Sequence, residues 1–494
     1  MKNKLIHLRI VAVLSVTVAL LSGCGNTELI KRQRPNFLFI LLDDQPYDAF
    51  SYSGRYPFLK TPNIDRIARE GAWFNNVFCT ASLCSPSRAS FLTGTYPHLH
   101  GVTQNDPRVD PDWVSFPPYT VLLRKAGYET AMIGKIHMKH LEGKDHIRPG
   151  FDYWLSFQGQ GEYFDPLLNE NGREFIEKGY ITDILTRYAV DWLKNKRDRS
   201  KPFSMCVWHK AVHEPYSPAI RHQGIYKDES LPEPPYGTAY ETFLRKPEWQ
   251  RIKAYDNNWK NYTPVAELPV KKWDPKNQRF LSLLESILAV DESTGELLKT
   301  LSELGELDNT VIIYSSDNGY FMGDHTYWDK RIAYESSMRI PLLIRFPEKI
   351  AKGTIVDELC LNIDVAPTLL ELADVEIPSY MQGESLLPLL RGKTADKWRK
   401  SVLFEYYVDD AYPYAGPDLL AVRSDSFKLV DCFLENDIDE LYDLKNDPGE
   451  MKNLINDPAY YKVQERLRLE LEQLKLKYKY TSDRDWWLRQ AVLE

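Results

Sequence analysis

The sequence predicts an α/β fold: a large, mainly parallel sheet flanked by helices, followed by a smaller C-terminal antiparallel sheet with a helix. Three observations predict it. Asn36-Phe37-Leu38-Phe39-Ile40-Leu41-Leu42 is a continuous apolar run, the pattern of a strand buried on both faces. Further strand-like runs alternate with helical patterns as far as Phe346, which is how parallel strands are joined. Beyond Gly392 the strand-like runs follow one another directly and end in a charged helix.

The chain has 494 residues, enough for one large or two unequal domains; the boundary is expected near Gly392-Lys393-Thr394, giving 35–392 and 393–494. A net charge of −8 argues against a nucleic-acid partner, which would demand basic faces. At the N-terminus, Lys2, Lys4 and Arg9 precede an apolar run from Ile10 to Leu21 that is too short to span a bilayer comfortably. The run ends in Leu21-Ser22-Gly23-Cys24, which resembles a bacterial lipoprotein box. Residues 1–23 then read as a signal peptide, Cys24 as the lipidated residue, and residues 24–34 as a tether. This implies an exported protein anchored to a bacterial membrane, in the periplasm or at the cell surface; an ordinary secretory signal is the alternative. Cys79, Cys206, Cys360 and Cys432 form neither a disulfide framework nor a zinc pattern, and read as buried thiols with one disulfide left open.

Taken in order, the first strand ends in Asp43-Asp44. Ligands of open α/β sheets collect beyond the carboxyl ends of strands, and paired carboxylates there suit Ca²⁺ or Mg²⁺. Thr61-Pro62 starts a helix, with Thr61 as cap and Pro62 in its first turn. Cys84-Ser85-Pro86-Ser87-Arg88 reads as loop then helix, opened by Pro86, with Cys84 just before it where the dipole favours an anion. A helix over Tyr119 to Ala126 leads into a strand, Tyr128 to Ile133. Lys135 and His137 follow it two apart, so on extended chain they point the same way.

Gly150 to Gly172, rich in aromatic residues, Gln and Gly, reads as a loop over the sheet edge, with Gln160 and Tyr163 as substrate candidates. Ile181 to Lys196 is an amphipathic helix. The strand Phe203 to Trp208 leads to His209 and then His213-Glu214-Pro215. Tyr216 to Asp274 lacks periodicity and reads as a substrate-facing insertion. A long helix, Arg279 to Gly305, precedes the strand Thr310 to Ser315, whose end carries Asp317 and Asn318, two more hard-oxygen donors. Gly323-Asp324-His325 and Trp328-Asp329-Lys330 come next, with His325 a further substrate candidate, then the strand Leu342 to Phe346. Strands are expected at Ser401–Tyr407, Leu419–Arg423 and Phe427–Asp431, and a helix over Lys462–Lys477. Arg423 and the tyrosines 406, 407, 412 and 414 are additional substrate candidates.

Cys84-Ser85-Pro86-Ser87-Arg88, running on to Leu92-Thr93-Gly94, resembles the signature of the type I, formylglycine-dependent sulfatases. So do Asp43-Asp44, Gly134-Lys135-Ile136-His137, His213 two before Pro215, Asp317-Asn318 and Lys330, in that order along the chain. The stretch around Phe151 to Asn171 faintly resembles glucosamine-6-sulfatases. The resemblance implies an alkaline-phosphatase-like fold and hydrolysis of sulfate esters on a carbohydrate. It implies that a formylglycine-generating enzyme oxidises Cys84, and that Ca²⁺ (or Mg²⁺) sits on Asp43, Asp44, Asp317, Asn318 and residue 84. Arg88, Lys135 and Lys330 would hold the sulfate, Asp317 would accept the proton of the attacking hydroxyl, His213 would protonate the leaving oxygen, and His137 would act as a base. A phosphonate monoester or phosphodiester hydrolase of the same fold, and an inactive glycan-binding lipoprotein, are the alternatives.

Overall fold

A computed structural model describes residues 34–234, 246–250, 274–392, 398–408, 416–433 and 437–480. The signal peptide, Cys24, the expected boundary at Lys393-Thr394, most of the 216–274 insertion, Tyr412 and Tyr414 lie outside the described residues. Among the described residues no helix is long and apolar enough to cross a membrane.

The first strand, β1 (Asn36–Leu42), is fully buried. Its side chains alternate between two cores. Leu38, Ile40 and Leu42 enter one, shared with helices α1 (Pro62–Glu70), α4 (Ile181–Asp191) and α5 (Gln278–Glu303). Phe37, Phe39 and Leu41 enter the other, shared with α2 (Cys84–Thr93), α3 (Tyr119–Lys125) and α6 (Val365–Leu372). A strand with helices on both faces has no solvent side, which is why the run carries no polar alternation.

The remaining strands of the large sheet are β2 (Ala72–Phe78), β3 (Glu129–Lys135), β4 (Tyr153–Phe157), β5 (Leu167–Glu170), β6 (Arg173–Ile176), β7 (Phe203–Trp208), β8 (Thr310–Ser316), β11 (Leu342–Arg345) and β12 (Thr354–Leu361). Their order is β12-β2-β11-β8-β1-β7-β3-β4-β5-β6, a mixed, mainly parallel sheet. The central strands β8, β1, β7 and β3 run parallel, with Leu41 opposite both Trp208 and Ser315. Their carboxyl ends therefore lie along one edge. A two-stranded ribbon, β9 (Phe321–Met322) with β10 (Trp328–Asp329), follows β8. The smaller sheet is antiparallel, β13 (Ser401–Tyr406), β14 (Leu419–Ser424), β15 (Phe427–Cys432) and β16 (Glu440–Asp443) in sequential order. Helix α7 (Tyr461–Lys477) covers it with Leu467, Leu471 and Leu474. Pro35–Glu494 forms one compact unit by its contacts.

The structure corrects three sequence expectations. Gly150 to Gly172 is not a loop throughout: it contains β4 and β5, and only the residues between them turn over the edge. The signature helix begins at Cys84 rather than Pro86; first-turn N–H groups have no intrahelical acceptor, so a proline in third place costs the helix nothing. Thr61 makes no cap to α1. The α5 carboxylate of Asp291 caps it from outside, accepting from the N–H of Asn63 at 2.9 Å and of Ile64 at 2.8 Å. Cys79, Cys206, Cys360 and Cys432 are buried free thiols as expected, as is Cys84, and the disulfide left open does not form among them.

Gly134 holds β3 against β7. A Cβ there would lie 1.9 Å from the Trp208 carbonyl oxygen, and its φ of +122° disfavours any L side chain. Gly134→Ala should cost about 1–3 kcal/mol by forcing the strands apart and should displace Lys135, read as a lower unfolding midpoint in denaturant together with lost turnover.

Candidate active site

Four strand ends and one helix start build the site. Asp43 and Asp44 follow β1, Lys135 closes β3, His213 lies in the loop after β7, Asp317 and Asn318 follow β8, and Cys84 opens α2. Cys84 Sγ is 3.3 Å from Asp43 Oδ1 and 3.0 Å from Lys330 Nζ. Lys135 Nζ donates to Asp43 and Lys330 Nζ to Asp44. Arg88 is wholly buried. Its Nε donates to Asp317 Oδ2 at 2.8 Å and its Nη1 to the Lys135 carbonyl at 2.8 Å, while Nη2 is 3.6 Å from Asp43. The guanidinium also lies over the Trp208 ring, 5.5 Å from its centroid.

The carboxylates of Asp43, Asp44 and Asp317 bring oxygens within 4.8 Å of one another. Asn318 donates its amide N–H to Asp44 at 2.7 Å and to the Gly319 carbonyl, but its Oδ1 is buried without a hydrogen-bond partner. Three carboxylates and an orphaned amide oxygen, all hard donors, fit a divalent cation. The cluster of Asp43, Cys84 and His213 ligand atoms meets the same spacing.

Electrostatics sort the groups. Burial opposes ionisation of Asp43, but Lys135, His213, Arg88 and Lys330 together hold its carboxyl well below the usual range. Burial and the Asp43 charge push Asp317 up to about 6. Burial, and next Asp43, push the Cys84 thiol up to about 12. As a cysteine, residue 84 therefore stays protonated at neutral pH and is a poor nucleophile.

Burial pushes His213 down to about 4, against the pull of Asp43 and Asp44. Its Nδ1 lies 2.6 Å from the Glu214 carbonyl oxygen, which can only accept, so Nδ1 carries the proton. Nε2 then faces Asp44 Oδ2 at 3.6 Å and gains a proton only as imidazolium. His137 joins the site through a left-handed residue, φ +52°, not through extended chain as its spacing from Lys135 suggested. Burial and Lys135 hold it well below its ordinary value.

Of the substrate candidates, Gln160 and Tyr163 reach the site. Gln160 Oε1 accepts from Lys135, and the Tyr163 hydroxyl donates to the His213 carbonyl at 2.7 Å. His325 and Arg423 do not. His325 is buried with its ring 4.5 Å from that of Tyr334. Arg423 is consumed by Glu335, at 3.2 Å through both Nε and Nη2. Sequence reasoning missed Lys210, which stands over the Tyr163 ring at 4.7 Å and donates to the Gln160 carbonyl at 3.0 Å. Burial and Lys135 push it down to about 8. Its place just past the β7 carboxyl end was the available signal. Asp329 and Arg331, either side of Lys330, have φ of +135° and +92°. Such strain persists only where the surroundings impose it, and here it aims Lys330 at Cys84.

Those surroundings include the smaller sheet. Glu335 is flanked by Arg423 and by Lys428, 3.0 Å away, and Lys428 also meets Glu450 at 2.5 Å, all buried. Lys428→Met should destabilise the fold by about 3–5 kcal/mol, because two carboxylates lose a buried partner; Lys428→Arg should recover most of it, as measured by equilibrium unfolding.

The sulfatase family model matches residues 35–375, and the C-terminal model of N-sulphoglucosamine sulphohydrolase matches residues 323–477. The chain is 37% identical to N-acetylglucosamine-6-O-sulfatase of Bacteroides thetaiotaomicron, covering 93% of this chain and 89% of that protein. It is 31% identical to the Homo sapiens N-acetylglucosamine-6-sulfatase, over 76% and 67%. A solved structure of a protein in complex with its substrate D-glucosamine-2-N,6-O-disulfate superposes with a TM-score of 0.79 at 35% identity, covering 91% of this chain and 99% of that one. The phosphonate monoester hydrolase of Agrobacterium radiobacter has a TM-score of 0.74 over 90% of this chain and 96% of its own, at 23% identity, a likeness of fold alone.

Proposed function

The chain belongs to the sulfatase family, and on that premise we propose that it removes a 6-O-sulfate from glucosamine residues of a glycan, releasing inorganic sulfate. The observation that carries the reading is Cys84 Sγ, set between Asp43 and Lys330 at the rim of the carboxylate cluster. The choice of sugar is supported by the glucosamine sulfates acted on by the two relatives of 37% and 35% identity.

Family members use a formylglycine and a divalent metal. When present, the oxidised side chain supplies a hydrated aldehyde nucleophile, and the cation supplies Lewis-acid charge against the sulfate oxygens. Asp43, Asp44, Asp317 and Asn318 would hold the cation together with residue 84, and their hard oxygens favour Ca²⁺, with Mg²⁺ second. Lys135 and Lys330 are the cations placed to hold the non-bridging sulfate oxygens. Arg88, already bound to Asp317 and Asp43, acts by holding those carboxylates in register with residue 84. Asp317, whose charge acts on residue 84, would accept a proton, and His137 would serve as a second base.

His213 gives up a proton from Nε2 to the leaving oxygen. Its depressed basicity makes it a strong acid once the negative charge of a bound sulfate ester has raised it into the imidazolium form. We also infer export with a lipid anchor at Cys24, supported by the Leu21-Ser22-Gly23-Cys24 box, and dependence on a formylglycine-generating enzyme.

The direct test is sulfate release from glucosamine 6-sulfate by protein made alongside a formylglycine-generating enzyme. Release is expected to stop in Cys84→Ser while substrate binding survives, and to stop on chelation and return with added Ca²⁺. Full turnover by the serine variant sinks the mechanism. His213→Ala should cost about 10²–10⁴ in kcat on a sugar sulfate and far less on 4-nitrophenyl sulfate, whose leaving group departs without a proton. Equal losses on both would remove His213 as the acid.

A further inference from the structure

We propose that Lys210 and Tyr163 are positioning residues that brace His213 and Lys135 against each other through the loop joining β4 to β5; this rests on the sulfatase reading above, which makes one the acid and the other a sulfate-holding cation. The brace is a closed circuit of contacts. Lys210 opens the turn that ends at the acid, its carbonyl accepting from the His213 N–H at 3.0 Å. Its side chain turns away from solvent, leaving the residue 2% exposed. Nζ donates to the Gln160 carbonyl at 3.0 Å and stands 4.7 Å from the centre of the Tyr163 ring. Tyr163, also buried, closes the circuit, its hydroxyl donating to the His213 carbonyl at 2.7 Å. The pair thus holds the acid at both its N–H and its carbonyl. Tyr163 is fixed in turn. Its carbonyl accepts from the Ile181 N–H at 2.8 Å, at the start of α4, and its ring stacks on Tyr180 with centroids 5.9 Å apart.

The same loop aims the cation. Lys135 Nζ donates to Gln160 Oε1 as well as to Asp43. Two of its three donors are therefore engaged among the described residues, which leaves the third for a sulfate oxygen. An ammonium on a flexible four-carbon stem has no direction of its own; a carboxylate and an amide oxygen give it one. Gly161 lets the loop turn in this way: its φ is +63°, and a Cβ there would run into the Phe157 ring.

A sulfate ester fixes the separation between its non-bridging and bridging oxygens. Lys135 and His213 must therefore be placed relative to each other, and an error of about 1 Å costs about 10² in rate. Lys210 and Tyr163 are too deeply buried to be needed as substrate contacts. Their effect passes through the two groups they hold, with the ammonium over the ring face as the tie between turn and loop.

The experiment compares kcat and KM on glucosamine 6-sulfate, whose leaving oxygen needs a proton, and on 4-nitrophenyl sulfate, whose leaving group does not. Tyr163→Phe keeps the ring and removes only the hydroxyl that holds His213. It should lose about tenfold or more in kcat on the sugar sulfate, with KM within about twofold, and far less on the aryl sulfate. Lys210→Met should lose at least as much on the sugar sulfate and lose on the aryl sulfate too, because Lys135 is loosened; Lys210→Arg should recover most of both losses. Combining Lys210→Met with Tyr163→Phe should cost no more than Lys210→Met alone, since both break one circuit. A Tyr163→Phe enzyme that loses equally on both substrates, or on neither, overturns the brace and leaves the sulfatase standing. So does a double variant whose loss is the product of the single ones, a comparison that needs only the sugar sulfate. If Lys210→Met fails to fold, Tyr163→Phe decides. Wild-type release from 4-nitrophenyl sulfate alone overturns the choice of sugar and, with no acid-dependent turnover to support, the brace; release from neither substrate overturns the sulfatase reading as well.

Discussion

The structure depends on one buried cation. The Arg88 guanidinium, with no solvent exposure, touches Asp43 beyond β1, the Lys135 carbonyl at the end of β3, the Trp208 ring at the end of β7 and Asp317 beyond β8. A buried charge is tolerable only when its partners are close and oriented. That requirement binds four parallel strands and the helix carrying Cys84 into one register. The residue that makes the site possible is thus bound into it, and is not free to act as a loose substrate contact.

Around Arg88 the site packs three carboxylates against three cations, with Lys135 and Lys330 as the other two. In so little solvent each charge sets its neighbours' protonation. Asp43 is held ionised while Asp317 and the Cys84 thiol are pushed toward their protonated forms. Such a site is preorganised for an anion whose charge must be met from several sides at once. The same logic extends outward. Lys330 reaches Cys84 from a strained loop, and Glu335, five residues on, is clamped by Arg423 and Lys428 of the smaller sheet. Among the described residues, the smaller sheet thus contributes to the site without supplying an atom to it.

Much of this was legible in the chain. An unbroken apolar strand ending in paired acids announces its own burial and its own end. Cysteine, proline, serine and arginine in sequence announce a helix start. These features rest on local spacing, and each predicted member of the catalytic and cation set lies together in space. What failed were features whose meaning depends on partners far along the chain. β4 and β5 hide in aromatic, glycine-rich sequence because pairing, of β4 to β3 and of β5 to β4, rather than propensity, makes them strands. The α1 cap comes from Asp291, 228 residues from Asn63.

Sequence by itself determined the strand ends, the signature helix and the chemical kinds of group that meet there, because local patterning of apolar and polar residues sets which segments are buried and where they stop. Only the tertiary structure decided which polar groups face the reacting atoms. Arg423 and His325 carry the same chemistry as Lys135 and His213, yet they are spent in the core beside the smaller sheet, while Lys210 stands over Tyr163 and bonds the Gln160 carbonyl. Charge and hydrogen-bond demand are satisfied through space, and a one-dimensional pattern does not say which partner arrives first.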